Sequence, residues 1–263
     1  MNEQVERDVM EYDVLIIGGG PSGLSSAIKI KQLASAEGKD VSVCVLEKGS
    51  EIGAHILSGN VFEPTALNEL IPDWKEKEAP LKTPATKDIV KFMISENSSI
   101  NIPFPSFLIP TFNNHGNYVM SLANFTRWLA TQAESLGVEI FPGFTAAEII
   151  YEENIVKGVL TGEMGISKDG EKKPSYQPSM ELRGKYTIFA EGCRGHLGKQ
   201  LIKKYNLDEN KDPQHYGIGF KEIWDISPED HKEGTVMHTM GWPSNGTISG
   251  SYFYHGENNQ VYL

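Results

Sequence analysis

Cysteine is nearly absent, with only Cys44 and Cys193 in 263 residues. Two thiols build neither a disulfide framework nor a four-thiolate cluster. The seven histidines are scattered without HxxxH or CxxC spacing, so no metal site is expected among these residues. Basic residues are also scarce: 24 Lys and Arg stand against 35 Asp and Glu, a net charge of −11. That balance excludes nucleic acid as a partner, because phosphate binding needs a basic face. It also excludes attachment to anionic lipid by charge alone. No run approaches the roughly 18 apolar residues of a spanning helix. The first eleven residues are acidic and polar, unlike a secretion signal or a mitochondrial presequence, which predicts a chain kept on the cytoplasmic side.

What is present begins with Tyr12 to Lys48. Tyr-Asp-Val14-Leu-Ile-Ile17 runs into Gly18-Gly19-Gly20-Pro21-Ser22-Gly23-Leu24, then a small-residue helical stretch to Leu33. A second apolar run, Val41 to Leu46, ends on Glu47-Lys48. Strand, glycine turn, helix, strand and acid together form a dinucleotide fingerprint. Gly18 allows the sharp turn, Gly20 lets the backbone approach a pyrophosphate, and Gly23 lets the helix pack close to the sheet. The helix N-terminus offers unpaired N–H groups to phosphate. An acid rather than Arg at position 47 favours an unphosphorylated ribose, hence FAD or NAD over NADP. Cys44, inside the second strand, is expected to be a small buried hydrophobe.

Further along, Gly49 to Gly59 predicts a loop, either running back past a cofactor or lying on the surface. Glu63 to Leu70 predicts a short helix, and Trp74 to Glu78 a solvated charge run. Ile102 to Phe112 is apolar and uncharged, and Pro103, Pro105 and Pro110 deny it a helix or central strand. Phe104, Phe107, Leu108, Ile109 and Phe112 would then cover a cavity or another domain, or dip into a membrane interface. Ser121 to Leu136 has helical periodicity, Gly137 ends it, and a short strand follows, which continues a parallel-sheet rhythm. Arg127 on that helix suits a cofactor phosphate or a surface ion pair equally. Strands are expected at Thr145–Tyr151, Val156–Thr161 and Leu182–Ala190, with a hairpin loop over Glu163–Pro178. The last strand ends in Ala190-Glu191-Gly192, a second place for close approach of a cofactor. From Pro213 the pattern turns to alternating strands at Tyr216–Trp224, His238–Pro243 and Ser249–His255, with a turn at Asn245-Gly246. The chain stops at Leu263 in another apolar run, as the N-terminal part of a longer protein would.

These motifs together resemble the electron transfer flavoprotein–ubiquinone oxidoreductase family. The resemblance rests on Gly18 to Ser25, Ile52 to Gly59, Pro72 to Lys75, Asn113 to Tyr118, Thr187 to Gly192, His215 to Gly219 and Gly241 to Pro243. It implies an α/β chain: a Rossmann-like FAD-binding domain of the glutathione-reductase type with the start of an antiparallel quinone domain. Residues 1–11 would be a tail, 12–212 the FAD domain, and 213–263 the beginning of the ubiquinone domain. The implied activity passes electrons from reduced electron transfer flavoprotein through FAD to ubiquinone, without a general base or nucleophile. The family's 4Fe-4S domain would lie beyond Leu263. The resemblance favours the membrane reading of the loop at 100–112 and implies a monotopic enzyme on the cytoplasmic face of a bacterial inner membrane. FAD contacts would come from Val14, Ile17 to Leu24, Glu47, Lys48, Arg127 and Ala190 to Gly192. A Gly-Gly pair holds quinone in the family, and here it reads Ser249-Gly250. A flavin-dependent monooxygenase or geranylgeranyl-reductase-like enzyme shares this N-terminal plan, and a non-catalytic, membrane-docked FAD-binding fragment is the remaining alternative.

Overall fold

The computed structural model describes residues 7–56, 59–103, 113–244 and 249–263. The chain divides into two compact units, Met1–His55 with Thr126–His215, and Ile56–Phe125 with Tyr216–Leu263. In order, the elements are β1 (Val9–Ile17), α1 (Pro21–Ala36), β2 (Val43–Glu47), β3 (Gly59–Phe62), α2 (Thr65–Leu70), β4 (Thr83–Pro84) and β5 (Lys87–Ser95). There follow β6 (Ser98–Asn101), β7 (Tyr118–Ser121), α3 (Leu122–Ser135), β8 (Glu139–Pro142), β9 (Ala146–Glu152), β10 (Ile155–Thr161) and β11 (Met164–Ile166). The chain closes with β12 (Lys172–Gln177), β13 (Glu181–Phe189), α4 (His196–Tyr205), β14 (Ile223–Asp225), β15 (Thr235–Gly241), β16 (Gly250–His255) and β17 (Gln260–Tyr262).

The first unit is built on a six-stranded sheet in the order β8-β2-β1-β13-β10-β9. The first four strands are parallel, and β10 and β9 join antiparallel. Parallel strands are covered on both faces, which is why Val14 to Ile17 and Val43 to Leu46 are continuous apolar runs. Alternation sends Leu15 and Ile17 into one core with Cys44, Leu46, Val159, Leu182 and Leu197. Ile16 turns toward α1, which buries Leu24, Ala27 and Ile28 along one stripe. At the N-terminal end of the strands the Tyr12 hydroxyl donates to Glu139 Oε2 at 2.8 Å. Burial holds that phenol well above its ordinary value and pushes the Cys44 thiol up to about 12. Cys193, in contrast, is exposed. A thiol reagent at pH 8 is therefore expected to modify Cys193 alone in the folded chain and both cysteines after denaturation. Peptide mass mapping checks this, and native labelling of Cys44 would contradict a buried β2.

The second unit carries a six-stranded sheet, β14-β17-β16-β15-β5-β6, and a three-stranded one, β3-β7-β4. β15 runs parallel to β5 over Thr235–Gly241 and Lys87–Met93, while its other neighbour β16 is antiparallel. That pairing draws residues 56–125 into one unit with 216–263, whereas the sequence suggests one continuous domain from 12 to 212. The reason is non-local: a strand's partner is chosen by ladder geometry and burial, and neither is written in its own residues. Trp74 is buried rather than part of a solvated run. Its Nε1 donates to Asn68 Oδ1 at 2.7 Å and its ring meets Tyr118 edge-on at 5.8 Å.

Two further expectations shift. Of the alternating stretch Tyr216–Trp224, only Ile223 and Trp224 enter a strand, where β14 pairs with β17. Residues 216–222 lie outside the strands, although Glu222 exchanges backbone hydrogen bonds with Leu263 at 3.0 Å, and Ile218 and Phe220 are 94% and 90% exposed. Within Glu163–Pro178 the hairpin contains two short paired strands, β11 and β12. Ser121–Leu136, the strand after Gly137 and the short helix at Thr65–Leu70 fall where expected. The turn at Asn245-Gly246 and the loop residues Phe104, Phe107, Leu108, Ile109 and Phe112 lie outside the described residues. No described helix is long and apolar enough to cross a membrane.

Candidate dinucleotide site

At the C-terminal ends of β1, β2 and β13 the chain makes the turn its glycines demand. The Gly18 N–H donates to the Leu46 carbonyl and the Ala190 N–H to the Ile17 carbonyl, both at 2.8 Å, which fixes the three strand ends together. Gly18 has φ +114°, and a Cβ there would stand 2.4 Å from the Ala190 carbonyl oxygen. A Cβ on Gly23 would stand 2.0 Å from the Gly18 carbonyl oxygen. Both positions are therefore closed to any side chain by backbone. Gly20 differs, since a Cβ there would meet no atom within 4 Å. It is open space in front of the turn, the cradle that a phosphate group needs.

Gly20 is also the N-cap of α1, with Pro21 in the first turn, no side-chain cap and no acidic residue in that turn. Pro21 lacks an N–H, so the first-turn donors are those of Ser22 and Gly23, with the positive end of the helix dipole behind them. An uncapped helix end beside an open glycine fits a pyrophosphate. Val14, Ile17 and Leu24 are buried and hold this turn from below, whereas Ser22 and Lys48 are exposed at its rim.

Glu47 has a second task that its position in the fingerprint does not reveal. Its Oε2 accepts the Gly19 N–H at 2.9 Å and its Oε1 accepts the Gly49 N–H at 2.7 Å. The carboxylate therefore ties the glycine turn to the start of the next loop. Each oxygen keeps further acceptor capacity for a ribose hydroxyl. Ile52, from that loop, is buried with its Cδ1 2.5 Å from where a Gly19 Cβ would be. The middle glycine, a free position in the spacing motif, thus has no room for a side chain unless Ile52 moves.

Arg127 lies on the exposed side of α3, its Nη2 3.1 Å from Glu51 Oε1. An ion pair this exposed stabilises by about 0–1 kcal/mol. Glu51 was not visible as its partner in sequence, because the two are far apart along the chain. Glu191 is engaged locally: its Oε2 accepts the Gly198 N–H at 2.7 Å, and its Oε1 lies 3.3 Å from the Leu197 nitrogen and 3.4 Å from His196 Nδ1. The side chain starts α4, while the backbone of Ala190 is held by Ile17 and packs against Gly18.

In the other unit, Gly250 opens β16 opposite Met240, and a Cβ on it would stand 2.6 Å from the Thr239 carbonyl oxygen. Ser249 is exposed and its hydroxyl bonds to that of Ser244. Among the described residues no group of His, Cys, Asp or Glu is placed to hold a metal.

Residues 16–71 match the model of the NAD(P)-binding Rossmann-like domain, and residues 216–263 that of the ETF-QO ubiquinone-binding domain. Among solved structures, the chain is similar to a geranylgeranyl bacteriochlorophyll reductase-like protein from Thermoplasma acidophilum. The TM-score is 0.60 at 17% identity, over 97% of this chain and 56% of that one. It is similar also to aklavinone-11 hydroxylase, with a TM-score of 0.60 at 17% identity over 95% of this chain and 45% of that one. These likenesses establish a fold shared with flavin-dependent enzymes. In sequence, the chain is 59% identical over 263 residues to electron transfer flavoprotein-ubiquinone oxidoreductase of Pseudomonas aeruginosa, covering 98% of this chain and 47% of that protein. It is 49% identical over 253 residues to the mitochondrial protein of that name from Homo sapiens, covering 95% of this chain and 40% of that one. The chain thus spans just under half the length of these curated relatives, and over that length it is similar to the N-terminal part of proteins named electron transfer flavoprotein-ubiquinone oxidoreductase.

Proposed function

We propose that this chain is the dinucleotide-binding part, with the beginning of the quinone-binding part, of an oxidoreductase that takes electrons from reduced electron transfer flavoprotein and passes them to ubiquinone. The observation that carries the reading is identity of 59% through almost the whole chain, with the glycine turn intact inside it. FAD is the proposed cofactor, and when bound it supplies the electron-transfer chemistry. The N–H groups of Gly20, Ser22 and Gly23 face its pyrophosphate, Gly19 and Leu24 hold the turn through their own bonds to Glu47 and Gly20, Glu47 accepts from its ribose, and Lys48 borders the same site. The backbone of Ala190, Glu191 and Gly192 approaches the flavin side, and Arg127 adds a cation at the rim. Ubiquinone is placed against the backbone at Ser249 and Gly250. The FAD task falls to Met1–His55 with Thr126–His215 and the quinone task to Ile56–Phe125 with Tyr216–Leu263, and the 4Fe-4S centre belongs to chain outside these 263 residues, since Cys44 is buried and Cys193 stands alone. The apolar segment at 100–112 seats the protein on the cytoplasmic face of a bacterial inner membrane.

The test is an absorption spectrum of the purified chain before and after denaturation, with the released cofactor identified by chromatography. Stoichiometric FAD is the expected result. Folded protein carrying a nicotinamide dinucleotide instead would overturn the reading. Tightly bound FAD that passes no electrons to ubiquinone, with every partner supplied, would reduce the chain to a cofactor-binding module.

A further inference from the structure

The inner face of the β15–β16 pair carries a chemical arrangement that the binding of a quinone does not by itself require. His238 on β15 stands opposite Tyr252 on β16, and Met240 stands opposite Gly250. Because side chains alternate, Gly250, Tyr252 and Tyr254 share one face with His238. His238 Nε2 lies 2.9 Å from the Tyr254 hydroxyl. The rings of Tyr252 and Tyr254 stack 4.7 Å apart at 28°. The stack sets Tyr252 beside Tyr254, between it and Gly250 along the strand. Phenol, phenol and imidazole thus form a row that starts two residues from Gly250.

Reduction of a quinone consumes two electrons and two protons, one proton for each carbonyl oxygen that becomes a hydroxyl. We propose that Tyr252, Tyr254 and His238 form a proton relay to a quinone ring seated at Gly250. This rests on the quinone-reducing function proposed above, with reduced flavin as the source of both electrons. Tyr252 gives its O–H proton to the quinone oxygen and is reprotonated from Tyr254, which is reprotonated in turn through His238 from solvent. No group in the row changes its charge over the cycle, and each pass supplies one of the two protons.

The surroundings suit the task. Burial holds both phenols above their ordinary values, Tyr254 at about 12, so each enters the cycle protonated. Burial also lowers His238 below its usual 6.5, with Asp88 opposing that shift, so the ring is neutral at pH 7 and able to accept and release a proton. Asp88, on β5 and registered with Val236, is itself held by the Asn114 N–H and side-chain amide at 3.0 and 2.6 Å. Lys221 lies 6.0 Å from the Tyr252 ring, and Tyr262 on β17 belongs to the same core. Val61 and Val119 from β3 and β7 complete the packing with apolar surface.

The test uses protein purified with its flavin, photoreduced and mixed with a short-chain ubiquinone, and separately with ferricyanide, which takes electrons without protons. In Tyr254→Phe and His238→Gln, quinone reduction is expected to fall about tenfold more than ferricyanide reduction. A larger solvent deuterium isotope effect should accompany the loss with quinone. The acid limb of the wild-type pH profile, below about 6.5, should flatten in His238→Gln. Tyr252→Phe provides the same reading should either variant fail to retain flavin. Equal losses with both acceptors, or an unchanged isotope effect, would overturn the relay while leaving quinone reduction in place. If wild-type protein reduces ferricyanide but no ubiquinone, the function itself falls, and the relay with it.

Discussion

Alanine at Gly18 is expected to unfold the turn and abolish cofactor retention. Two penalties act together. At φ +114° an L-residue sits in a sparsely populated region that costs about 1–3 kcal/mol. The added methyl would also lie 2.4 Å from the Ala190 carbonyl oxygen, a backbone atom fixed by the 2.8 Å bond between the Ala190 N–H and Ile17. Relieving that contact means parting β1 from β13, at a further cost of about 1–3 kcal/mol. Against a total stability of roughly 5–15 kcal/mol this is a large fraction, and the melting temperature should fall by about 10 °C. Thermal unfolding followed by circular dichroism, with FAD content measured on the same preparation, checks it. Gly20→Ala is the informative contrast, because its methyl meets nothing within 4 Å. It should melt within about 2 °C of wild type and still lose FAD, since only the pyrophosphate needs that space. Should Gly18→Ala keep both its melting temperature and its FAD, the turn is not held as described.

Glu47→Gln is expected to weaken FAD binding about 10- to 100-fold and to loosen the turn even without cofactor. The two carboxylate oxygens accept from Gly19 and Gly49 at 2.9 and 2.7 Å. Glutamine has one acceptor oxygen, and its amide N–H groups would face whichever backbone donor is left. An unsatisfied donor costs about 1–3 kcal/mol when buried, and less here because Glu47 is partly exposed. The lost ribose contact adds a similar amount, and 1.4 kcal/mol is tenfold in affinity. Glu47→Asp keeps both oxygens but shortens the reach, so it should fall between wild type and glutamine. Equilibrium titration of apoprotein with FAD, read by flavin fluorescence quenching, gives the affinities. Affinity of the glutamine variant within twofold of wild type would mean that the carboxylate is not a cofactor ligand.

Much of the first unit was legible because its signals are local. Val14 to Leu24 contains the strand, the turn and the start of the helix in sequence order, and Gly18 and Gly23 are required by backbone atoms a few residues away or on the adjoining strand end. The short helix at Thr65–Leu70, α3, and the strands β8, β9, β10 and β13 follow from periodicity and from punctuation by glycine and proline. Trp74 was misread because five charged and aromatic residues in a row look solvated. Only Asn68 and Tyr118, brought beside it by folding, show its burial. Tyr216 to Trp224 alternates like a strand, yet only Ile223 and Trp224 enter one, because alternation specifies which faces a strand would have and not how far its ladder extends.

The amino-acid sequence by itself determined the dinucleotide turn, the acid that closes it, the absence of thiols for a cluster within this stretch, and the likeness to electron transfer flavoprotein-ubiquinone oxidoreductases. These depend on residue identity at short spacing, where backbone geometry leaves few alternatives. Only the tertiary structure decided that residues 56–125 join 216–263, because β5 finds its parallel partner in β15. It alone placed both oxygens of Glu47 on backbone donors, turned the Glu191 carboxylate to the start of α4, and set Glu51 on Arg127. It alone aligned His238 with Tyr252 and Tyr254. A hydrogen bond needs two groups within about 3 Å and correctly aimed, and for groups distant in sequence that condition is met only when the strands between them have paired.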